Sequence, residues 1–337
     1  MASNKNQLHF VLIPLLCPGH LLPMVDIARL LAQHGVKITL IVTPLNAILF
    51  DKIINRDTES GLSIQLLQIP FPWVEAGLPE GYEDLSALPS RSLAINFFDA
   101  LRMMQQPMEK FVEETHPRPS CIISDRHLPW TIDITSKFGI PRLAFDGTSC
   151  FSFMCSHNIS ISKVHENVTS DSDYFVVPNL PDKIELTKAQ LPSFLNPGRI
   201  NVKGFYEEIK AADMASYGLV INSFEELESR YVEECKKVKG DKIIVKVLRI
   251  GESVGANVAS KWGEEDKYGV KVKSEKIRKA IDLVMDEEEG EEKRKRTREL
   301  GDLANKALEE GGSSYCNIRL LIKDIMQQVM DNKAIMA

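Results

Sequence analysis

The apolar positions of this chain change period repeatedly, from unbroken runs to a three- or four-residue repeat and back. Phe10 to Leu16 is an unbroken apolar run, of the length and character of a strand buried on both faces. Pro18-Gly19 breaks it. From His20 onward, Met24, Ile27, Ala28 and Leu31 recur at helical spacing, with Pro23 in the first turn and Gly35 as the stop. The same reading predicts strands at Val36–Val42, Leu62–Ile69, Cys121–Ser124, Arg142–Phe145 and Gly218–Asn222. Between them it predicts helices ending near Arg56, running from Arg91 to Glu114 with a kink at Pro107, opening at Pro129-Trp130 and stopping at Gly139, and covering Ser149–Ser162 and Val202–Met214. A capping box, Ser223-x-x-Glu226, starts one more helix that runs to about Val238. Residues 70–89 read as a long loop of the kind that covers a site, and 163–200 as loop.

Strands alternating with helices in this way mean an α/β fold with a doubly wound parallel sheet, Rossmann-like, over residues 1–240. Residues 241–337 differ in kind. Helices are expected at Glu275–Met285, Glu291–Glu310 and Ser314–Met330, and only Ile243–Ile250 has the composition of a strand, so this part is mainly helical with no sheet of its own. The run Asp286 to Arg296, acid followed by base, suits pairing one turn apart on a solvated helix face.

Composition narrows the function. Of the 337 residues 44% are hydrophobic and 26% charged, ordinary for a globular protein, and a net charge of −6 argues against nucleic acid or an anionic membrane as partner. The first residues lack the design of a signal peptide and no apolar run is long enough to span a bilayer, so a cytoplasmic monomer is expected. Six scattered cysteines fit reduced buried thiols better than a metal site, and no metal is expected.

His20 and Asp125 carry the chemistry. Both fall at carboxyl ends of predicted strands, the edge at which open α/β sheets bind ligands. An imidazole oriented by a carboxylate is a general-base pair. A helix N-terminus at His20 is expected to lower its pKa and favour the neutral, basic form. There is no G-x-S-x-G elbow, P-loop or G-x-G-x-x-G fingerprint, so the base has no protein nucleophile to serve and suits a hydroxyl on a bound substrate. His127, two residues past Asp125, could join such a site; a loop histidine with no such role is the simpler reading.

The stretches PLLCPGHLLPMVDIARLLAQHGVKITLIVTP, CIISDRHLPWTIDITSKFGIPRLAFDGTSCF and GLVINSFEELE resemble the amino-terminal half of plant family 1 UDP-glycosyltransferases. LRIGESVGANVASKWGEE, AIDLVMDEEEGEEKRKR and LANKALEEGGSSYCNIRLLI are similar to the carboxyl-terminal end of the same family. The resemblance implies a GT-B fold and an inverting O-glycosyl transfer to a small acceptor such as a hormone, flavonoid or terpenoid hydroxyl. It makes His20 the catalytic base and Asp125 its partner. Gly19, Leu21 and Thr148 become substrate-binding positions, and residues 70–89 with Leu191 to Pro197 fall where the family lines its acceptor pocket. It implies no cofactor beyond the co-substrate, a UDP-sugar and most simply UDP-glucose.

The family's nucleotide-sugar box, with its uracil-stacking tryptophan and HCGWNS segment, has no counterpart here. No histidine follows His165, no proline follows Pro197, and the one later tryptophan, Trp262, lies downstream of where the box belongs. Lys239-Gly240-Asp241 leads almost directly into IIVKVLRIG, which the family places after the box and largely in helix. The expectation is an internal deletion that leaves 1–240 as acceptor domain and 241–337 as a truncated remnant of the donor domain. The UDP-sugar site would be largely missing and transfer slight or absent. The alternative is a non-catalytic acceptor-binding module, or an unstable product.

Overall fold

The computed structural model describes residues 7–196, 203–239, 243–245, 274–275, 278 and 289–336. They divide into two compact units. The first comprises 1–147, 207–220 and 317–337, and the second 148–206 and 221–316.

The first unit is built on strands β1 (His9–Ile13), β2 (Lys37–Val42), β3 (Ile64–Gln68), β4 (Cys121–Asp125), β5 (Arg142–Asp146) and, further along the chain, β8 (Gly218–Ile221), in the order β3-β2-β1-β4-β5-β8. Pairing is parallel from β3 through β5. Order reverses between β1 and β4, the switch point at which doubly wound sheets hold ligands. β1, β4 and β5 are buried along their whole length, which is why Phe10–Ile13, Cys121–Ile123 and Leu143–Phe145 run apolar without alternation.

Helix α1 (Pro18–Gln33) begins earlier than its apolar repeat suggests. Pro18 takes the first helical position, where a missing N–H costs nothing, and β1 ends at Ile13. His20 therefore lies in the first turn of the helix, and Pro23 lies inside it. α2 (Pro44–Glu59) follows the same rule at Pro44, but its N-cap Thr43 makes no side-chain cap. The loop after β3 supplies one instead. The buried Glu83 accepts the Leu45 N–H at 2.8 Å, and its own carbonyl accepts from Asn46 Nδ2 at 3.0 Å. With Leu85 N–H donating to the Leu16 carbonyl at 2.9 Å and Phe71, Ala76 and Leu78 buried, residues 70–89 are anchored at several points.

The helix expected from Arg91 to Glu114 is two, α3 (Ala94–Met103) and α4 (Gln105–Glu114), and the break is at Met104 rather than Pro107. Dividing there places Pro107 third in α4, in a first turn whose N–H groups have no intrahelical partner. Met104 and Met108 border an apolar cavity of about 10 Å³ with Ile13, Leu16, Leu101 and Trp130. That is room for one water at most, so these methionines fill core. The unit also contains α5 (Thr131–Phe138), closed by Gly139 at φ 64°, and α7 (Lys203–Ala215) from Glu207 onward.

In the second unit, α6 (Cys150–Ser162) has Ser149 as N-cap, its hydroxyl accepting the Ser152 N–H. The stretch expected to be loop holds an antiparallel hairpin, β6 (Tyr174–Val177) with β7 (Ile184–Thr187), which packs Phe175 and Val177 against Ile159, Leu191 and Leu195. α8 (Glu225–Lys239) does not begin with the expected box. Ser223 Oγ donates to Glu228 instead, and Glu226 accepts from Ser313 Oγ at 2.7 Å. Glu228 departs from helical geometry (φ −147°, ψ 47°) and its carboxylate accepts the Cys150 and Phe151 N–H groups, both at 2.8 Å. A negative side chain there satisfies orphan donors at the positive end of α6.

Strand β9 (Ile243–Val245) agrees with the composition of that stretch and not with the helix implied by the resemblance. The rest of Ile243–Ile250, Trp262, Pro197 and nearly all of Glu275–Met285 lie outside the described residues. α9 (Glu289–Leu308) and α10 (Ser313–Met336) match the last two predicted helices. Glu291 pairs there with Arg294 and Arg298, both on its own helix. Among the described residues no helix is long and apolar enough to cross a membrane, and the six cysteines are free thiols.

Candidate active site

β4 delivers Asp125 to the switch point with its side chain wholly buried, and α1 brings His20 to it from 105 residues away. His20 Nδ1 donates to Asp125 Oδ2 at 2.5 Å. A carboxylate can only accept this bond, so the proton sits on Nδ1 and the basic atom of neutral His20 is Nε2. Burial works against an imidazolium here. The Asp125 charge and hydrogen bond outweigh it, with the charge of Asp146 adding, and His20 is held above its ordinary pKa. The expected lowering by the helix terminus is therefore overturned. A terminal dipole of about half a charge is weaker than a full carboxylate in contact. Asp125 moves the other way: burial would raise its pKa, but His20 and His127 hold it far below the carboxylate range.

His127 is part of the site, contrary to the simpler reading of it as a loop histidine. Its backbone N–H and its Nδ1 both donate to Asp125 Oδ1, each at 2.9 Å. Its ring stands edge-on to that of His20, centroids 5.6 Å apart. Among the described residues these three form the one group of His, Cys, Asp or Glu side chains whose ligand atoms all come within 4.8 Å of one another. Both carboxylate oxygens already accept N–H bonds, so Asp125 orients two imidazoles at once. Cys17, beside it, is no nucleophile: burial and the charges of Asp125 and Asp84 push its thiol up to about 12.

No family model matches the chain. Relatives do. UDP-glycosyltransferase 73C3 of Arabidopsis thaliana is 32% identical over 491 residues, spanning 97% of this chain and 99% of the relative. UDP-glycosyltransferase 73C11 of Barbarea vulgaris is 32% identical over 495, spanning 98% and 99%. The chain belongs to the plant family 1 UDP-glycosyltransferases. Solved structures agree on the fold. Glycyrrhiza uralensis UGT73P12, complexed with glycyrrhetinic acid 3-O-monoglucuronide, superposes with a TM-score of 0.82 at 24% identity over 98% of both chains. Medicago truncatula UGT71G1, complexed with UDP-glucose, gives 0.64 at 13% over 97% of this chain and 100% of that one.

In this UDP-glycosyltransferase chain the remaining predicted positions fall differently. Leu21 is 1% exposed and spent on the core. Gly19 has open space where a side chain would be. Thr148 is exposed, at the start of the second unit. Gly147 earns its place sterically: a Cβ there would lie 3.2 Å from His20 Nδ1 and 3.3 Å from Cε1. Gly147→Ala should push the imidazole off Asp125, lowering the His20 pKa by at least about 0.3 unit, as the hydrogen bond that raises it weakens. A histidine NMR titration reads this, and an unchanged value would show that the ring gives way without loss.

Two arginines escaped the sequence reading. Arg142, 2% exposed, donates from Nε to Ser124 Oγ and Thr131 Oγ1, both at 2.8 Å, and from Nη2 to the Asp125 carbonyl at 3.3 Å. It fixes the end of β4 that carries the carboxylate, and burial pushes its pKa down to about 10. Arg126 binds Asp146 at 2.5 Å and Asp213 at 2.6 Å. Each arginine follows or opens an apolar strand, a weak signal that an alternating pattern would have hidden altogether.

Proposed function

We propose that this chain carries the acceptor half of an inverting, UDP-sugar-dependent O-glycosyltransferase of small plant metabolites, and that its donor half is incomplete. The bond between His20 and Asp125 at the switch point carries the reading. His20 Nε2 takes the proton of an acceptor hydroxyl as its oxygen attacks the anomeric carbon of the sugar. The bond from that carbon to UDP breaks, the configuration inverts, and Asp125 stabilises the imidazolium that forms. Thr148, Gly19 and the loop of residues 70–89 are the positions proposed to meet substrate.

Support for the incomplete donor half is arithmetical as well as compositional. The match to the Arabidopsis relative runs over 491 positions and this chain has 337 residues, so at least 491 − 337 = 154 of those positions face none of its residues. The acceptor domain is then residues 1–240 and the donor remnant 241–337. Diphosphate needs oriented N–H donors at a helix N-terminus, and the box that would supply them has no counterpart in the sequence. Without a donor held in line, an activated hydroxyl has nothing to attack.

Calorimetric titration of the purified chain with UDP and UDP-glucose tests this. No saturable binding is expected below about 1 mM, a free energy of only some 4 kcal/mol. Micromolar binding of both would overturn the incomplete donor half and leave an ordinary transferase.

A further inference from the structure

Asp125 serves two imidazoles. His20 donates to one of its oxygens at 2.5 Å, and His127 donates to the other at 2.9 Å, backed by the His127 backbone N–H at 2.9 Å. Each ring thus keeps its proton on Nδ1 and leaves Nε2 as its basic atom. The two side chains are similarly accessible, 20% for His20 and 25% for His127, so both can exchange protons with a substrate or with water. We propose that His127 is a positioning residue for His20: its two N–H bonds hold one oxygen of the buried carboxylate that the rings share, and so set how strongly the other oxygen holds the His20 ring. The proposal rests on the reading of His20 as the base.

The physical reason is competition for one charge. Three N–H groups donate to Asp125, so each draws less from its charge than it would alone. The other groups around His20 do not level this. Asp146 raises its basicity but is itself bound to Arg126, Cys17 stays a thiol, and Phe145 offers only a ring edge 6.4 Å from the imidazole. A base tempered toward neutrality is matched to its task, because it must be unprotonated before the reaction and still able to accept a proton during it.

The test is a ¹H–¹³C NMR titration of the histidine Cε1–H signals in the full chain, for wild type, His127→Ala and His127→Gln, each with a circular dichroism spectrum as a check on folding. In wild type, His20 should protonate above pH 6.5. His127→Ala should raise the His20 pKa by about 0.5 unit or more, and His127→Gln, whose amide can still donate to Asp125, by less. A His20 value within about 0.1 unit of wild type in folded His127→Ala overturns the proposal. The readout needs no turnover. A coupling that holds while His20 proves dispensable for transfer would sink the base assignment alone.

Discussion

Insertion after Gly240 of the donor-binding segment of a full-length relative is expected to turn a chain with no measurable sugar transfer into an active transferase, and His20→Ala in the completed chain to cut its turnover by about 10³-fold. In the chain as it stands the same substitution is expected to change no measurable rate, as follows from the proposed loss of the donor half. The size follows from general-base catalysis, which contributes ~10²–10⁴-fold. It belongs in the middle of that range rather than at its foot because the imidazole is aligned and charge-stabilised by a buried carboxylate, so both functions are lost together. Asp125→Asn should cost less than His20→Ala but distort the pH profile, since an amide can turn its N–H toward His20 and select the wrong tautomer. Glucosyl transfer to a panel of phenolic and terpenoid acceptors, followed by chromatography, reads both. A completed chain that keeps full activity without His20 would refute its role as base. A completed chain that folds, binds UDP and remains inactive would place the fault elsewhere than in the donor segment.

The βα alternation was legible because buried parallel strands and amphipathic helices have distinct periods, and each is written locally. The same locality explains the failures. The hairpin β6–β7 hid among four prolines, although the alternating burial of Tyr174 to Val177 is a strand signature. Pro107 marked a helix break but not its position, which is fixed by where the N–H would have gone unpaired. Ser223 and Glu226 satisfied the pattern of a capping box, yet Glu228 won because α6, far away in sequence, offered its carboxylate two backbone N–H groups. The sign of the His20 shift failed for the same kind of reason. The helix terminus is in the local sequence, whereas the carboxylate that overrides it is 105 residues away. His127 shows the converse. It stands two residues from Asp125 and was still discounted, since no pattern says that one carboxylate will hold two rings.

Arg126→Met is expected to destabilise the first unit by about 3–5 kcal/mol, the cost of breaking a buried ion pair by removing one partner. The guanidinium joins β4 to Asp146 at the end of β5 and to Asp213 on α7, and the two carboxylates are only 3% and 4% exposed. Burial works against the arginine's charge, but the two aspartates more than reverse this and raise its pKa. With methionine in its place, Asp146 and Asp213 lose the guanidinium between them in a poorly solvated site. Thermal unfolding should fall on the order of 10 °C. Neutralising the aspartates removes that penalty, so Arg126→Met with Asp146→Asn and Asp213→Asn should recover most of the loss. A single variant within about 1 kcal/mol of wild type would mean that water reaches the carboxylates and that the triad is superficial. The consequence for the site is direct. Arg126 follows Asp125 in the chain and Asp146 precedes Gly147, so the ties that hold β4, β5 and α7 together also fix the carboxylate and the close backbone approach on which the orientation of His20 depends.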